Sequence, residues 1–134
     1  ALVGISTTGD WYHLQVSGGT VTSTSIGSYG GGYGSSGDAF AIENVGTYAA
    51  VNNPGLGTSD DFIIEVDTAS GAMLNQIAQL NGYGSVFGLA GWFGTVFAFD
   101  ASGTILEVSM TTGNVNVIQT GGPSWWGAGV QTRL

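Results

Sequence analysis

Clustered side-chain oxygens are the first candidates for chemistry. Asn52, Asn53, Asp60 and Asp61 flank a stretch that also holds Pro54, Gly55 and Gly57. Carboxylate and amide oxygens on such a loop are calcium donors, which makes Asn52, Asp60 and Asp61 a candidate calcium site. The same residue types are ordinary turn formers, and their spacing matches no standard calcium loop. Asp38 and Glu43 lie on or beside an expected inner strand, where they would hydrate a channel mouth or, doubled by a second copy, hold a cation. His13 is the only imidazole, in a strand position where its counterparts are Ile63 and Ile105; a packed or half-exposed histidine is the expectation there. With no Cys, no Lys and one cation, Arg133, a nucleophile–base or phosphoryl-transfer site lacks its parts. The residues therefore point away from an enzyme unless a metal or another chain supplies the reactive groups.

Aromatic side chains give the other candidate. Tyr29, Tyr33, Tyr83, Trp125 and Trp126 sit at or near connections rich in Gly, Ser and Asn. Exposed rings stack on the apolar C–H faces of sugars while neutral polar groups bond their hydroxyls. Tyr29, Tyr33, Tyr83 and Trp125 are thus candidate ligand-binding residues for a neutral glycan. The competing reading is that these rings wedge between sheets as core. Trp126 aligns with Phe87, which favours core for Trp126. Tyr33 aligns with Tyr83 but faces Gly122 in the third unit, so such a site is not present in every repeat.

The elements that must position these residues follow from a repeat. Thr95 to Phe99 reads as a strand packed on both faces, and Asp100–Gly103 as a hairpin turn. Thr104 to Val108 is a second strand, Thr111–Gly113 a second turn, and Asn114 to Ile118 an alternating strand with one wetter face. Ile64-Glu65-Val66 matches Leu106-Glu107-Val108, each followed by a glycine turn at Gly71 or Gly113. Thr47 to Asn52 matches Thr95 to Asp100, with a longer hairpin after it. Ala1 to Gly9 matches Thr95 to Gly103, and Leu14-Gln15-Val16 stands for Leu-Glu-Val. Thr20 to Ile26 is an outer strand, Gly27 to Gly37 a Gly/Ser/Tyr loop, and Trp125 to Thr132 a last inner strand. Ala69 to Leu80 is a conflict: its residues are good helix formers, but the repeat demands a strand. The repeat is preferred.

Leu14 to Ile64 is 50 residues and Ile64 to Leu106 is 42. A period of roughly 40–50 residues with about four short strands per unit is the signature of propeller blades. The expected fold is all-β, a β-propeller with three four-stranded blades in one domain, 1–134. The units run over 33–82, 83–121 and 1–32, the last completed by 122–134. Three blades cannot close a ring, and a lone half-ring exposes two apolar faces. A six-bladed homodimer of half-propellers is the expectation; half of a longer propeller, or a sandwich or solenoid, are the alternatives.

Phe99 to Val108 and Ile64 to Gly71 resemble blades of bacterial β-propellers of the NHL or YVTN kind. There, a strand ending in Asp, a Gly hairpin, a second strand and an Asp/Thr-Gly turn recur. The resemblance covers nearly the whole chain and implies fold rather than activity, since such propellers include lyases, lactonases, lectins and scaffolds. The Gly-rich 27–37 segment departs from the pattern, as does the lack of His or Glu metal ligands in each blade.

Composition narrows the partners. The 134 residues carry nine carboxylates against one Lys or Arg, a net charge of −8. No basic patch is available for nucleic acid or anionic membrane, and no apolar run approaches the ~20 residues of a spanning helix. The absence of Lys leaves trypsin-like proteases little to cut, which suits a secreted, extracellular protein. The chain begins at Ala, so the expectation is that a leader was removed or that a longer protein was trimmed. Three functions follow as expectations: a non-enzymatic, lectin-like binder of neutral glycan, an assembly protein of an extracellular surface or filament, or an enzyme subunit with a channel metal.

Overall fold

The computed structural model describes residues 2–129. Eleven strands form three antiparallel sheets; among the described residues the only helical element is one 3₁₀ turn, Pro54–Leu56. The first sheet holds β1 (Leu2–Ile5), β2 (Asp10–Ser17) and β3 (Thr20–Ser28). The middle sheet holds β4 (Gly34–Ile42), β5 (Gly46–Asn52), β6 (Asp61–Val66) and β7 (Met73–Leu80). The third holds β8 (Val86–Trp92), β9 (Thr95–Asp100), β10 (Ile105–Ser109) and β11 (Val115–Gln119). In each sheet, neighbours in sequence are neighbours in space. Among the described residues none of the sheets closes on itself.

The sheets stack in chain order, and side-chain alternation explains why. In β5, Ala49 and Val51 point to the first sheet, where they join Val3, Ile5 and Trp11. Tyr48 and Ala50 point the other way, to Val96, Ala98, Leu106 and Val108 of the third sheet. The middle strands are therefore apolar at successive positions, because both faces are covered. Each fully buried Ile, Leu or Phe there contributes about 1.5–3 kcal/mol relative to exposure. The edge strands β3 and β11 are instead exposed along most of their length.

The helix–strand conflict resolves toward the strand. Met73 to Leu80 pairs with β6, and Ala78 and Leu80 alternate into the core. Burial of that alternate face outweighs the intrinsic preference of Met, Leu and Gln for helix.

Two expectations are corrected. The first concerns register. Ala49 pairs with Ile64, while Ala98 pairs with Leu106. Since Ile64 corresponds to Leu106, Ala49 corresponds to Ala98, one residue away from the match of Thr47–Asn52 to Thr95–Asp100. A one-residue slip turns every side chain to the other face. With the corrected register, the first and middle sheets use the corresponding face to meet the next sheet. The second concerns the last strand. Among the described residues the first sheet has three strands, not four, and Ser124–Gly129 are in no strand. The remainder of the expected Trp125–Thr132 strand lies outside the described residues. Ser124–Gly129 nevertheless run along the third sheet: Trp126 stacks on Phe87 with centroids 5.2 Å apart, and Trp125 meets Phe99 edge-on at 5.6 Å.

Candidate functional site, a groove beside the glycine loop

The antiparallel meanders bring alternate connections to one end of the stack. There the connection after β3 is tied to the β1–β2 hairpin by the Tyr29 N–H donating to the Gly9 carbonyl, 3.1 Å. The connection after β7 is tied to the start of β6 by the Asp61 N–H donating to the Tyr83 carbonyl, 2.7 Å. The β9–β10 hairpin joins them through the Ala101 N–H and the Ser85 carbonyl, 2.9 Å. Tyr29, Tyr33, Tyr83 and Asp60 therefore share one end of the molecule.

Within that end lies an open groove of about 350 Å³, between the first and middle sheets. Thr8, Asp10, Ser28, Tyr33 and Asn52 line it, with the backbone of Gly30–Gly32 as its floor. Those three glycines have φ of 74°, 61° and 83°. Three successive left-handed residues are strained for any side chain with a Cβ. Asn53 holds the loop in place: its Nδ2 donates to the Gly31 carbonyl at 3.0 Å, and its Oδ1 accepts from the Gly55 N–H at 3.2 Å. The Tyr33 hydroxyl donates to Gln76 Oε1 at 2.8 Å, and its ring meets Phe62 edge-on. Asp10 accepts from the Thr8 hydroxyl at 2.6 Å and from Ser6 at 3.3 Å. The lining thus offers an aromatic ring, hydroxyls, an amide, one carboxylate and bare backbone, with no imidazole or amine.

The four aromatic candidates are not brought together. Tyr33 lines the groove. Tyr29 is 3% exposed and packs edge-on against Trp11, and burial pushes its hydroxyl up to about 12; it is core rather than binding surface. Tyr83 is half-buried against the core of the middle and third sheets. Trp125 lies on the far side of the third sheet, against Phe99. Trp126 is 76% exposed despite its match to Phe87.

The oxygens of the candidate calcium site also diverge. Asn52 and Asp61 are cross-strand partners, but consecutive carboxylates leave a strand on opposite faces. Asp60 turns out to the Gln79 amide, 2.8 Å, and the Gly82 N–H, 2.9 Å. These two donors, the backbone one foremost, hold its carboxyl below the usual range. Asp61 turns in. It accepts from the Ser36 hydroxyl and from the Val86 N–H, 2.8 Å, through Oδ2, while its buried Oδ1 has no partner. Burial holds the Asp61 carboxyl above the usual range, with Asp100 and Asp60 adding smaller repulsions. Among the described residues no group of three or more His, Asp or Glu side chains is placed to hold a metal ion.

Asp38 braces the inner strands, accepting from the Leu89 N–H at 3.4 Å and the Ala39 N–H at 3.1 Å. Glu43 is exposed in the β4–β5 turn at the opposite end. His13 is exposed in β2, opposite Val3 and Thr24, rather than packed or half-exposed.

Two features escaped sequence reasoning. Asp10 enters the groove because the tight Ser6–Gly9 turn places it there; the Thr-Thr-Gly-Asp string was the available signal. Phe93 is 84% exposed at a hairpin tip with φ 44°, and nothing in its neighbours marks that exposure. No helix of the described residues is long and apolar enough to cross a membrane. Compared with known proteins, the chain matches no family model, no curated protein and no solved structure.

Proposed function

We propose that this chain is an extracellular, non-enzymatic binding protein that takes a neutral glycan in the Tyr33 groove. One observation carries the reading: an aromatic ring stands beside the neutral donors and acceptors of Thr8, Ser28 and Asn52 over a floor of bare glycine backbone. Sugar rings need both components, a face to stack on and fixed hydrogen-bonding groups. The architecture that presents the groove is half of a six-bladed propeller, completed by a second copy. The repeat of sheet, face and connection from the first sheet to the third supports it. A glycan array, followed by titration of the best hit, tests the binding. Tyr33→Ala and Asn52→Ala are expected to weaken it at least about tenfold each, since each removes a contact of roughly 1.5 kcal/mol. No neutral glycan bound at millimolar concentration, or binding indifferent to both changes, would sink the reading.

A second reading has its own observation. The edge strands β3 and β11 are exposed and carry Val21, Val117 and Ile118 outward. Open edges with apolar side chains template further strand pairing, as an assembly protein of a surface or filament requires. Concentration-dependent growth beyond a dimer, abolished by Val117→Lys, would favour it over glycan binding.

A further inference from the structure

We infer that Ser124–Gly129 of one copy insert beside β1 of a second copy, as the inner strand that the first sheet lacks. This rests on the half-propeller reading above and specifies how the ring closes.

The inner strands set a pattern. In the middle sheet β4 flanks β5, and in the third sheet β8 flanks β9. Between sheets, these inner strands touch through glycine. A Cβ on Gly37 of β4 would lie 2.5 Å from Phe87 Cα and 2.6 Å from the Val86 carbonyl oxygen of β8. A Cβ on Gly88 of β8 would lie 2.6 Å from the Gly127 carbonyl carbon and 2.9 Å from the Ala128 nitrogen. The backbone of Gly127–Ala128 thus stands to β8 as β8 stands to β4. Only a backbone stripped of Cβ allows such approach. Ser124–Gly129 occupy the place of a fourth inner strand, with no strand beside them.

The first sheet has the complementary vacancy. There, among the described residues, β1 lies at the edge and is bonded to β2 alone. Leu2, Tyr12, Leu14 and Val16 alternate onto the face turned away from the middle sheet, and Leu2 and Val16 are exposed. The third sheet turns Phe97, Phe99 and Ile105 to the side where Trp125 and Trp126 lie. Within one chain, β1 and Ser124–Gly129 are separated by the middle sheet, which buries both of its own faces. A second copy, related by a twofold axis, brings the two together twice and covers both apolar faces. Matching Gly88 to Gly127 places Gly129 opposite Val3.

Because the chain has no Cys, engineered thiols report this contact cleanly. One preparation carries Val3→Cys, a second Gly129→Cys; they are mixed, dissociated, reassociated and oxidised. The expected result is a species of about 27 kDa, twice the 13.6 kDa chain, cross-linked only when both variants are present. Trp126→Asp, at an exposed position, is expected to leave a folded 13.6 kDa species with unchanged circular dichroism. A dimer that does not cross-link, or that survives Trp126→Asp, overturns strand insertion and leaves the half-propeller pairing standing. A native monomer overturns both. Cross-linking of the double variant inside a monomer shows that the chain closes on itself, and ladders longer than a pair show open polymerisation; each of these also overturns the proposal. Glycan binding is read separately, so its failure does not touch this result.

Discussion

The middle and first sheets follow the same strand meander, but burial divides them. In the middle sheet β5 is buried at five successive positions, and β6 is nearly as enclosed. In the first sheet β3 is exposed over its first six residues and β2 over its last three. A shared meander does not confer equal stability; coverage of both faces does. The middle sheet holds the described fold together, and the outer sheets hold surface that another chain can cover.

The largest effects should therefore come from the middle sheet. Ile63→Ala and Leu80→Ala each remove a fully buried side chain and are expected to cost about 2–5 kcal/mol. Val16→Ala, at a position 64% exposed in the single chain, should stay within about 0.5 kcal/mol in the Trp126→Asp background, where no second copy covers it. Urea unfolding of the three variants at one protein concentration checks the contrast. Comparable losses at Val16 and Ile63 would break it.

The same division decides what could be read from sequence. Sheet type was legible wherever packing leaves a period: Ile64 and Val66 face the first sheet as Leu106 and Val108, their matches in sequence, face the middle one. It even overrode the helical composition of Met73–Leu80. The register of β5 was not legible. Its neighbours on both sides are apolar, so a one-residue shift leaves the pattern looking the same, and the longer hairpin before Asp61 absorbs the difference. Binding residues were least legible. Tyr29 and Tyr33 share one glycine loop, yet the first is core and the second lines a groove. Only the path of Gly30–Gly32 separates them, and glycine strings do not announce their path. Ser124–Gly129 match an inner strand in sequence but have no strand beside them, because pairing requires a neighbour that the repeat pattern cannot supply.

A smaller effect, of opposite sign at adjacent residues, sharpens the picture of the covered sheet. Asp61 is fully buried with one oxygen unpartnered, whereas Asp60 is half-exposed and well bonded. The Asp61 carboxyl is held up by burial. Its stabilising contribution is present below the unfolded value of roughly 3.9 and is lost as pH rises through the higher folded value. The Asp60 carboxyl is held down, so its contribution is present above the unfolded value and lost as pH falls through the folded one. Asp61→Asn keeps an acceptor for Ser36 and Val86 and removes the buried charge. It is expected to raise stability at pH 7 by about 1–2 kcal/mol, the scale of an unsatisfied buried group. Asp60→Asn should lower it by no more than about 0.5 kcal/mol. Chemical denaturation between pH 4 and pH 8 reads both; equal signs for the two variants would refute this account of the pair.

The smallest effect tests whether an outer sheet also tolerates local strain. The inner-strand hairpins of the middle and third sheets both contain a left-handed residue: Asn44 at φ 59° in one and Phe93 at φ 44° in the other. Asn accepts this conformation readily, while a bulky side chain pays about 1 kcal/mol for it. Phe93 has little burial to set against that cost. Its ring is 84% exposed and touches Trp92 edge-on at 4.8 Å, a contact worth no more than about 0.5–1.5 kcal/mol. Phe93→Asn transplants the middle sheet's solution and should raise the melting midpoint slightly, by about 0.5 kcal/mol of stability. Asn44→Phe, the reverse transplant, should lower it by about 1 kcal/mol. If Phe93→Asn instead destabilises in proportion to protein concentration, the aromatic tip is itself covered in the assembled molecule, and the boundary between covered and open surface must be redrawn to include that hairpin.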